Sequence, residues 1–339
     1  MAIKASQNNV LLRPHFKTHR SAKIAEWYRE EGITACTVSS VRMAEYFAQA
    51  GWNDITIAFP FNRWELDKIN ELSKRIRLRL ILSSLTAAEY LAQTATQKLH
   101  IFIEIDAGYP RSGIPASENS EIQACIDVIS TNVNLKFDGF LSHFGNTYSS
   151  RNQEEITSLW HESLQKLLPL KRLFPGALIS VGDTPSCSII EDFSDVHEIR
   201  PGNFVFYDFM QTLIGSCLPE QVGVTVLCPV VAVYKERRQA IIYGGAVHFS
   251  KDSVEISGKR LFGWAGTTND RLTPEYIPGC YVVSLSQEHG VVEFPQNVDM
   301  PEEGQILAIM PVHSCLTVSC LNKAYTPEGE EVEMLAVSF

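Results

Sequence analysis

For its first two-thirds the chain alternates between two kinds of hydrophobic pattern. Short runs rich in Val, Ile, Leu and Phe fall at residues 11–16, 33–39, 54–60, 77–84, 99–106, 137–145, 177–184 and 197–208. Their length and β-branched content predict strands. Between them, residues 21–31, 41–50, 62–74, 85–93, 117–131 and 153–173 repeat their apolar positions at helical spacing. The seventh connection, 187–195, is too short for a full helix. Strict alternation of strand and helix predicts a parallel sheet, and eight strands is the number that closes a (β/α)8 barrel. An open doubly wound sheet normally needs fewer strands, and no G-x-G-x-x-G follows the first one. The expected class is therefore α/β, a TIM-type barrel.

After residue 220 the pattern changes. Segments 222–233, 239–249, 279–285, 291–294, 305–310 and 315–321 are strand-like, punctuated by Gly, Pro, Asp and Asn, with no amphipathic helix between them. This predicts a barrel over residues 1–220 followed by a mainly antiparallel β domain over 221–339.

Composition narrows the function classes. The chain has 339 residues, 45% of them hydrophobic and 20% charged, as in a globular protein and unlike a disordered one. Its formal charge of −10 argues against nucleic acid or an anionic membrane as the main partner. No apolar run approaches the ~18 residues of a membrane span. The start, Met1 to Gln7, lacks the apolar core of a signal peptide. Eight cysteines without a Cys-x-x-Cys pair read as reduced thiols, all but one of them small buried hydrophobes, in a cytoplasmic protein.

Candidate chemistry gathers where a barrel keeps it, at the carboxyl ends of strands. In the first strand, alternation puts Arg13, His15 and Lys17 on one face and Leu12 and Phe16 on the other. A basic row pointing inward must meet an anion or carboxylates, unless it forms a solvated edge. A lysine at a desolvated strand end is suited to Schiff-base chemistry. The fifth strand leads into Asp106 to Gly113 with Arg111, which could equally be one half of a structural salt bridge. The sixth leads into His143 to Tyr148, where the histidine could also be an ordinary core residue. Gly182, Thr184, Gly202 and Asn203 follow strands seven and eight, where barrels commonly bind phosphate through backbone N–H groups. Together these features suggest a phosphate-bearing cofactor with an aldehyde for Lys17, namely pyridoxal phosphate. In the second domain His313 and Cys315, two apart on an expected strand, share one side and suit Zn²⁺ with open positions for substrate or water.

The run Arg13-Pro14-His15-Phe16-Lys17-Thr18-His19, followed in order by 104–113, 143–148, 182–186, 200–211, 287–290 and 313–315, resembles the fold-type III pyridoxal-phosphate enzymes of the D-serine dehydratase and D-threonine aldolase family. That family has an alanine-racemase-like barrel followed by a β domain. The resemblance implies that Lys17 binds the cofactor aldehyde, Arg111 its phenolic oxygen, and His143 the face of its ring. It places Tyr148 or Arg200 at the pyridine nitrogen, and Gly182, Thr184, Gly202 and Asn203 at the phosphate. The metal pair falls on His313 and Cys315, and a cysteine at that position goes with the family's dehydratases. The implied activity is a PLP- and zinc-dependent ammonia-lyase of a D-β-hydroxy amino acid, most simply D-serine to pyruvate and ammonia. D-threonine aldolase, 3-hydroxyaspartate dehydratase and a non-catalytic PLP-binding protein are the alternatives. A homodimer is implied, with a small D-amino acid as ligand. Members normally carry a further strand and helix before the lysine strand, so one side of the barrel is expected to be uncovered here. Asp183 brings a negative charge to the phosphate loop, where it is expected to weaken phosphate binding.

Overall fold

The computed structural model describes residues 1–269 and 273–336. Contacts divide the chain into two units, Met1–Gly202 and Asn203–Phe339, so the division falls earlier than the change of pattern after residue 220. The intervening residues form short helices and turns that alternation does not register.

The first unit has eight parallel strands: β1 (Leu11–Leu12), β2 (Cys36–Val38), β3 (Asp54–Pro60), β4 (Arg77–Leu82), β5 (Leu99–Asp106), β6 (Leu135–Ser142), β7 (Leu178–Val181) and β8 (Glu198–Ile199). Their order is β1-β8-β7-β6-β5-β4-β3-β2. The two ends of that path meet through a single parallel bridge between His15 and Thr37. There Thr37 N donates to Pro14 O at 2.9 Å and Phe16 N to Thr37 O at 2.8 Å. This is the expected TIM-type ring. Strands β1 and β8 are shorter than their apolar runs because Pro14 and Pro201, lacking N–H groups, interrupt the regular ladder.

The helices lie where the spacing puts them: α2 (Ala22–Glu30), α3 (Val41–Gln49), α4 (Leu66–Ser73), α5 (Leu85–Thr94), α6 (Asn119–Ser130) and α7 (Gln153–Leu173). Ser21, Ser40, Ser84 and Asn152 cap four of them, each accepting from an N–H of the first turn. The short seventh connection holds α8 (Thr184–Ile189). Residues before the first strand form a helix that the apolar spacing does not announce, α1 (Ala2–Gln7). Its Lys4 Nζ donates to Ser188 O and Ile190 O, both at 2.9 Å, joining it to the segment after β7.

Toward the amino ends of the strands lies a buried charged layer. Arg13 is fully buried; its Nε meets Glu198 Oε2 and its Nη1 meets Asp54 Oδ1, both at 2.6 Å. Arg79 pairs with Asp54 and, at 2.9 Å, with Asp138, which also takes His100 Nδ1 at 2.9 Å. Burial pushes the Asp138 carboxyl up, but His100 and Arg79 outweigh it and hold it down at about 2. Asp54 and Glu198 are likewise held low, because Arg13 outweighs the effect of burial.

The second unit is a closed antiparallel barrel of β9 (Val226–Tyr234), β10 (Gln239–Tyr243), β11 (Gly263–Thr268), β12 (Pro274–Leu285), β13 (His289–Glu293) and β14 (Ile306–Pro311), in the order β9-β10-β13-β12-β11-β14. Val230, Ile242, Val282, Val292 and Ile309 fill it. Three short helices accompany it: α9 (Phe209–Leu213), α10 (Ala246–Phe249) and α11 (Ser314–Leu321). The last corrects the strand expected at 315–321, since a short apolar run of Cys, Leu, Thr and Val does not separate the two periods. None of the eight cysteines is in a disulfide; six are buried, Cys315 is partly exposed and Cys320 is exposed.

Arg13→Ala is expected to cost about 3–5 kcal/mol in urea unfolding, because it strands the buried Glu198 carboxylate. The depressed carboxylates stabilise the fold fully above the ordinary unfolded value of ~4. They lose that contribution as pH falls toward about 2, so acid unfolding is expected within that window. A variant within ~1 kcal/mol of the parent would remove Arg13 from the structural account.

Candidate active site

Lys17 follows directly on the bridge that closes the first ring, and His15 sits in that bridge. Glu104, near the carboxyl end of β5, is buried and accepts from Ser83 Oγ at 2.5 Å and Ser112 Oγ at 2.8 Å. Arg111, in the loop after β5, is exposed, with its guanidinium 5.8 Å from the Tyr109 ring centre.

His143 follows β6, and its Nδ1 lies 2.7 Å from Gly182 O. A carbonyl only accepts, so Nδ1 carries the proton and Nε2 is the bare nitrogen of a neutral ring. Burial pushes its pKa down to about 3, and Arg111, Lys17 and Arg200 push the same way against the bond to Gly182. Burial drives His15 well below its usual range, and Lys17, Arg200, His143 and Arg111 add to the effect. Lys17, Arg111 and Arg200 therefore converge with two neutral histidines, as the sequence arrangement requires. The third member of the basic row, Arg13, belongs to the charged layer below.

Arg200 is buried, with one Nη on Ser180 Oγ and the other 2.9 Å from Ser142 O. Burial lowers its pKa to about 10 against the pull of Glu198. Tyr148 turns its hydroxyl to the backbone of the loop after β7, accepting from Thr184 N at 3.2 Å.

That loop and the one after β8 approach very closely. A Cβ on Gly182 would stand 2.7 Å from Arg200 N and 2.8 Å from Arg200 C, and one on Gly202 would stand 3.0 Å from His15 Cβ. Around them Thr184 Oγ1 and Ser186 Oγ are buried with no hydrogen-bond partner in the protein. Buried hydroxyls without partners are costly and suit a ligand rich in acceptors. Together with the cations, they fit a cofactor that carries a phosphate. Asp183 does not point a bare charge at this loop: its Oδ1 accepts from Ser186 N at 2.6 Å and Thr147 Oγ1 at 2.9 Å, capping α8. Burial raises this carboxyl to about 6 despite those bonds.

Asn203 departs from its expected role at the phosphate. Its amide nitrogen points to Asp208 Oδ2 at 2.7 Å, Ser314 Oγ at 3.0 Å and Cys315 Sγ at 3.5 Å. Only the acceptor Oδ1 remains, and an acceptor does not bind phosphate.

His313 and Cys315 do come together, but at a helix start and not on a strand: His313 is the N-cap of α11 and Cys315 its second residue. The two side chains are hydrogen-bonded. Asp252 Oδ2 lies 2.6 Å from His313 Nδ1. Burial would lower the His313 pKa, but the bonds to Asp252 and Cys315 outweigh it and raise it to about 10. Imidazole plus thiol is a donor set suited to zinc. No group of three or more His, Cys, Asp or Glu side chains forms a metal-sized cluster among the described residues. The turn at 287–290 is bonded to α10 through Gly244 N to Glu288 O at 3.0 Å and Val247 N to Gln287 O at 3.2 Å. Sequence reasoning passes over Glu104, Asp208 and Asp252, which lie on no recognisable motif and act through contacts distant in the chain.

Residues 2–208 match the alanine racemase N-terminal domain family, and residues 223–326 match a putative serine dehydratase domain. The chain belongs to the alanine racemase-like family of fold-type III enzymes. Within it, the chain falls in the D-serine dehydratase and D-threonine aldolase group. It is 29% identical over 332 residues to the D-threo-3-hydroxyaspartate dehydratase of Delftia sp. (strain HT23), covering 94% of this chain and 87% of that one. It is 26% identical over 347 residues to a D-serine dehydratase of Dictyostelium discoideum, covering 93% and 86%. The solved structure of the Delftia enzyme superposes with a TM-score of 0.89 at 26% identity, covering 99% of this chain and 93% of that one. No helix among the described residues is long and apolar enough to cross a membrane.

Gly182→Ala is expected to destabilise the first unit by about 1–3 kcal/mol, because its methyl group meets backbone that can move only by breaking the β7–β8 pairing. It should also abolish uptake of pyridoxal phosphate. Thermal unfolding and equilibrium dialysis check this; parent-like values in both would show that the close approach is not required.

Proposed function

We propose that the protein is a pyridoxal-phosphate-dependent dehydratase of a D-β-hydroxy amino acid, with D-serine the simplest substrate and zinc on His313 and Cys315. The observation that carries the proposal is the convergence of Lys17, Arg111 and Arg200 with two histidines held neutral, beside buried hydroxyls that lack partners. Such a cluster calls for an anion, and the family supplies a cofactor whose phosphate and phenolic oxygen meet that need.

When bound, pyridoxal phosphate supplies an electron sink for charge at Cα, and zinc supplies a Lewis acid for a departing hydroxide. Lys17 holds the cofactor through its aldehyde and, once displaced as the amine, removes the Cα proton of the substrate. Arg111 donates to the phenolic oxygen. His143 has its one N–H on Gly182 O, so its ring serves as a fixed wall beside the cofactor and not as an acid. Thr184 and Ser186 donate their hydroxyls to the phosphate, with the loop kept close by Gly182 and Gly202. Histidine and cysteine variants of the Delftia dehydratase have been solved, the latter in a metal-free form, and the two positions are spaced as His313 and Cys315 are. That spacing supports the metal assignment here.

The second reading within the family is a 3-hydroxyaspartate dehydratase, favoured by the 29% identity to an enzyme of that name. A retro-aldol activity on D-threonine is the third. Products separate them: pyruvate, oxaloacetate, or glycine with acetaldehyde. A homodimer is proposed as the working assembly, checked by sedimentation at micromolar concentration.

After incubation with pyridoxal phosphate and gel filtration, the parent should show a borohydride-sensitive visible band that Lys17→Ala lacks, and should release pyruvate from D-serine. Cys315→Ala should keep the band and lose at least ~100-fold in turnover, because removing a ligand exceeds the usual cost of disturbing its outer partners. Full turnover after treatment with a chelator would refute the metal role. A band without turnover on any of the three substrates would favour a protein that only binds the cofactor.

A further inference from the structure

We infer that Asn203 and Asp208 are outer partners of the metal pair, with Asn203 donating to the Cys315 sulfur and Asp208 holding Asn203 and the start of α11 in place. The inference rests on reading His313 and Cys315 as metal ligands. It goes beyond that reading by giving each ligand its own positioning residue.

The geometry is specific. An amide nitrogen has two hydrogens, and those of Asn203 face one carboxylate, one hydroxyl and one sulfur: Asp208 Oδ2 at 2.7 Å, Ser314 Oγ at 3.0 Å and Cys315 Sγ at 3.5 Å. Asp208 is buried and fully engaged. Its Oδ2 also accepts from Ser314 N at 3.0 Å and Ser314 Oγ at 3.3 Å, and its Oδ1 accepts from Gln211 N at 3.1 Å. A carboxylate is buried only where donors repay the loss of water, and these donors come from Asn203, from the residue between the two ligands, and from its own helix. On the other side Asp252 takes His313 Nδ1, which leaves Nε2 for a metal. The pair thus has the arrangement in which outer hydrogen bonds orient the ligands of a metal, His313 with Asp252 and Cys315 with Asn203. An N–H aimed at the sulfur stabilises the anionic form that a metal binds.

The test separates this role from that of a phosphate ligand. Parent, Asn203→Ala, Asp208→Asn and Cys315→Ala are stripped of metal and titrated with Co²⁺ against a competing chelator. Uptake of pyridoxal phosphate is followed on the same samples. Asn at position 208 can still cap α9, so the fold should survive that change. The expected result is a 10–100-fold loss of Co²⁺ affinity in both outer variants and a shifted sulfur-to-cobalt band in Asn203→Ala, with cofactor uptake unchanged. Parent-like Co²⁺ affinity in Asn203→Ala overturns the inference, and weaker cofactor uptake in that variant would return Asn203 to the phosphate. Loss of both affinities together with a lowered melting temperature also overturns it, as general disruption. Equal Co²⁺ binding by Cys315→Ala and the parent would instead overturn the metal reading on which the inference stands.

Discussion

The buried charge of Arg13 is the constraint from which the first unit is built. No barrel interior holds an unpaired guanidinium, so carboxylates from β3 and β8 must reach it, and both stand at 2.6 Å. That requirement sets register. A slip of one residue would turn Arg13 toward the helices and leave Asp54 and Glu198 without their cation. The same few residues close the ring: Arg13 N donates to Ile199 O on one side, and Pro14 O accepts from Thr37 N on the other. Lys17 comes one residue after this seam, so its position follows from a charge pair at the opposite end of the same short segment.

The basic row of the first strand therefore has two fates. At the lower end Arg13 is neutralised within the protein. At the upper end His15 and Lys17 meet more cations, and burial together with that repulsion removes the charge from His15 and His143. The pocket stays electropositive through its lysine and arginines alone. Its remaining polar groups, the hydroxyls of Thr184 and Ser186, have no partner in the protein. A surplus of cations and idle donors in one place, beside a carboxylate layer that is fully paired, marks where an anionic ligand belongs.

Much of this arrangement is legible in the order of residues alone. The eight-fold alternation locates the barrel, and α7 ends where the helical spacing ends. The loops after the strands hold the residues that barrel geometry assigns to them. What stays illegible has physical causes. Residues 315–321 are apolar all round and too short to show a period, so they read as a strand. Pro14 and Pro201 truncate ladders that their apolar neighbours would extend. Asp183 reads as an unfavourable charge because a sequence does not say that its carboxylate folds back onto Ser186 N. Asn203 reads as a phosphate ligand because its neighbour Gly202 is in a loop of the right kind, while its amide answers to Asp208, Ser314 and Cys315. Partners so far apart in the chain leave no local pattern.

The correction at α11 changes why the metal pair can exist. Two residues apart on a strand, side chains share a face; two apart within a helix, they point about 200° apart. His313 and Cys315 meet because the change of conformation falls between them: His313 is extended at φ −135° and ψ 97°, and Cys315 is already helical. Ser314 is the residue where the chain turns, and its N–H is one of those that a helix start leaves without an intrahelical partner. Asp208 supplies that partner. A carboxylate that satisfies this single N–H thus fixes the bend on which the spacing of the two donors depends. The same spacing on an uncapped segment would be free to relax, and the donors would separate.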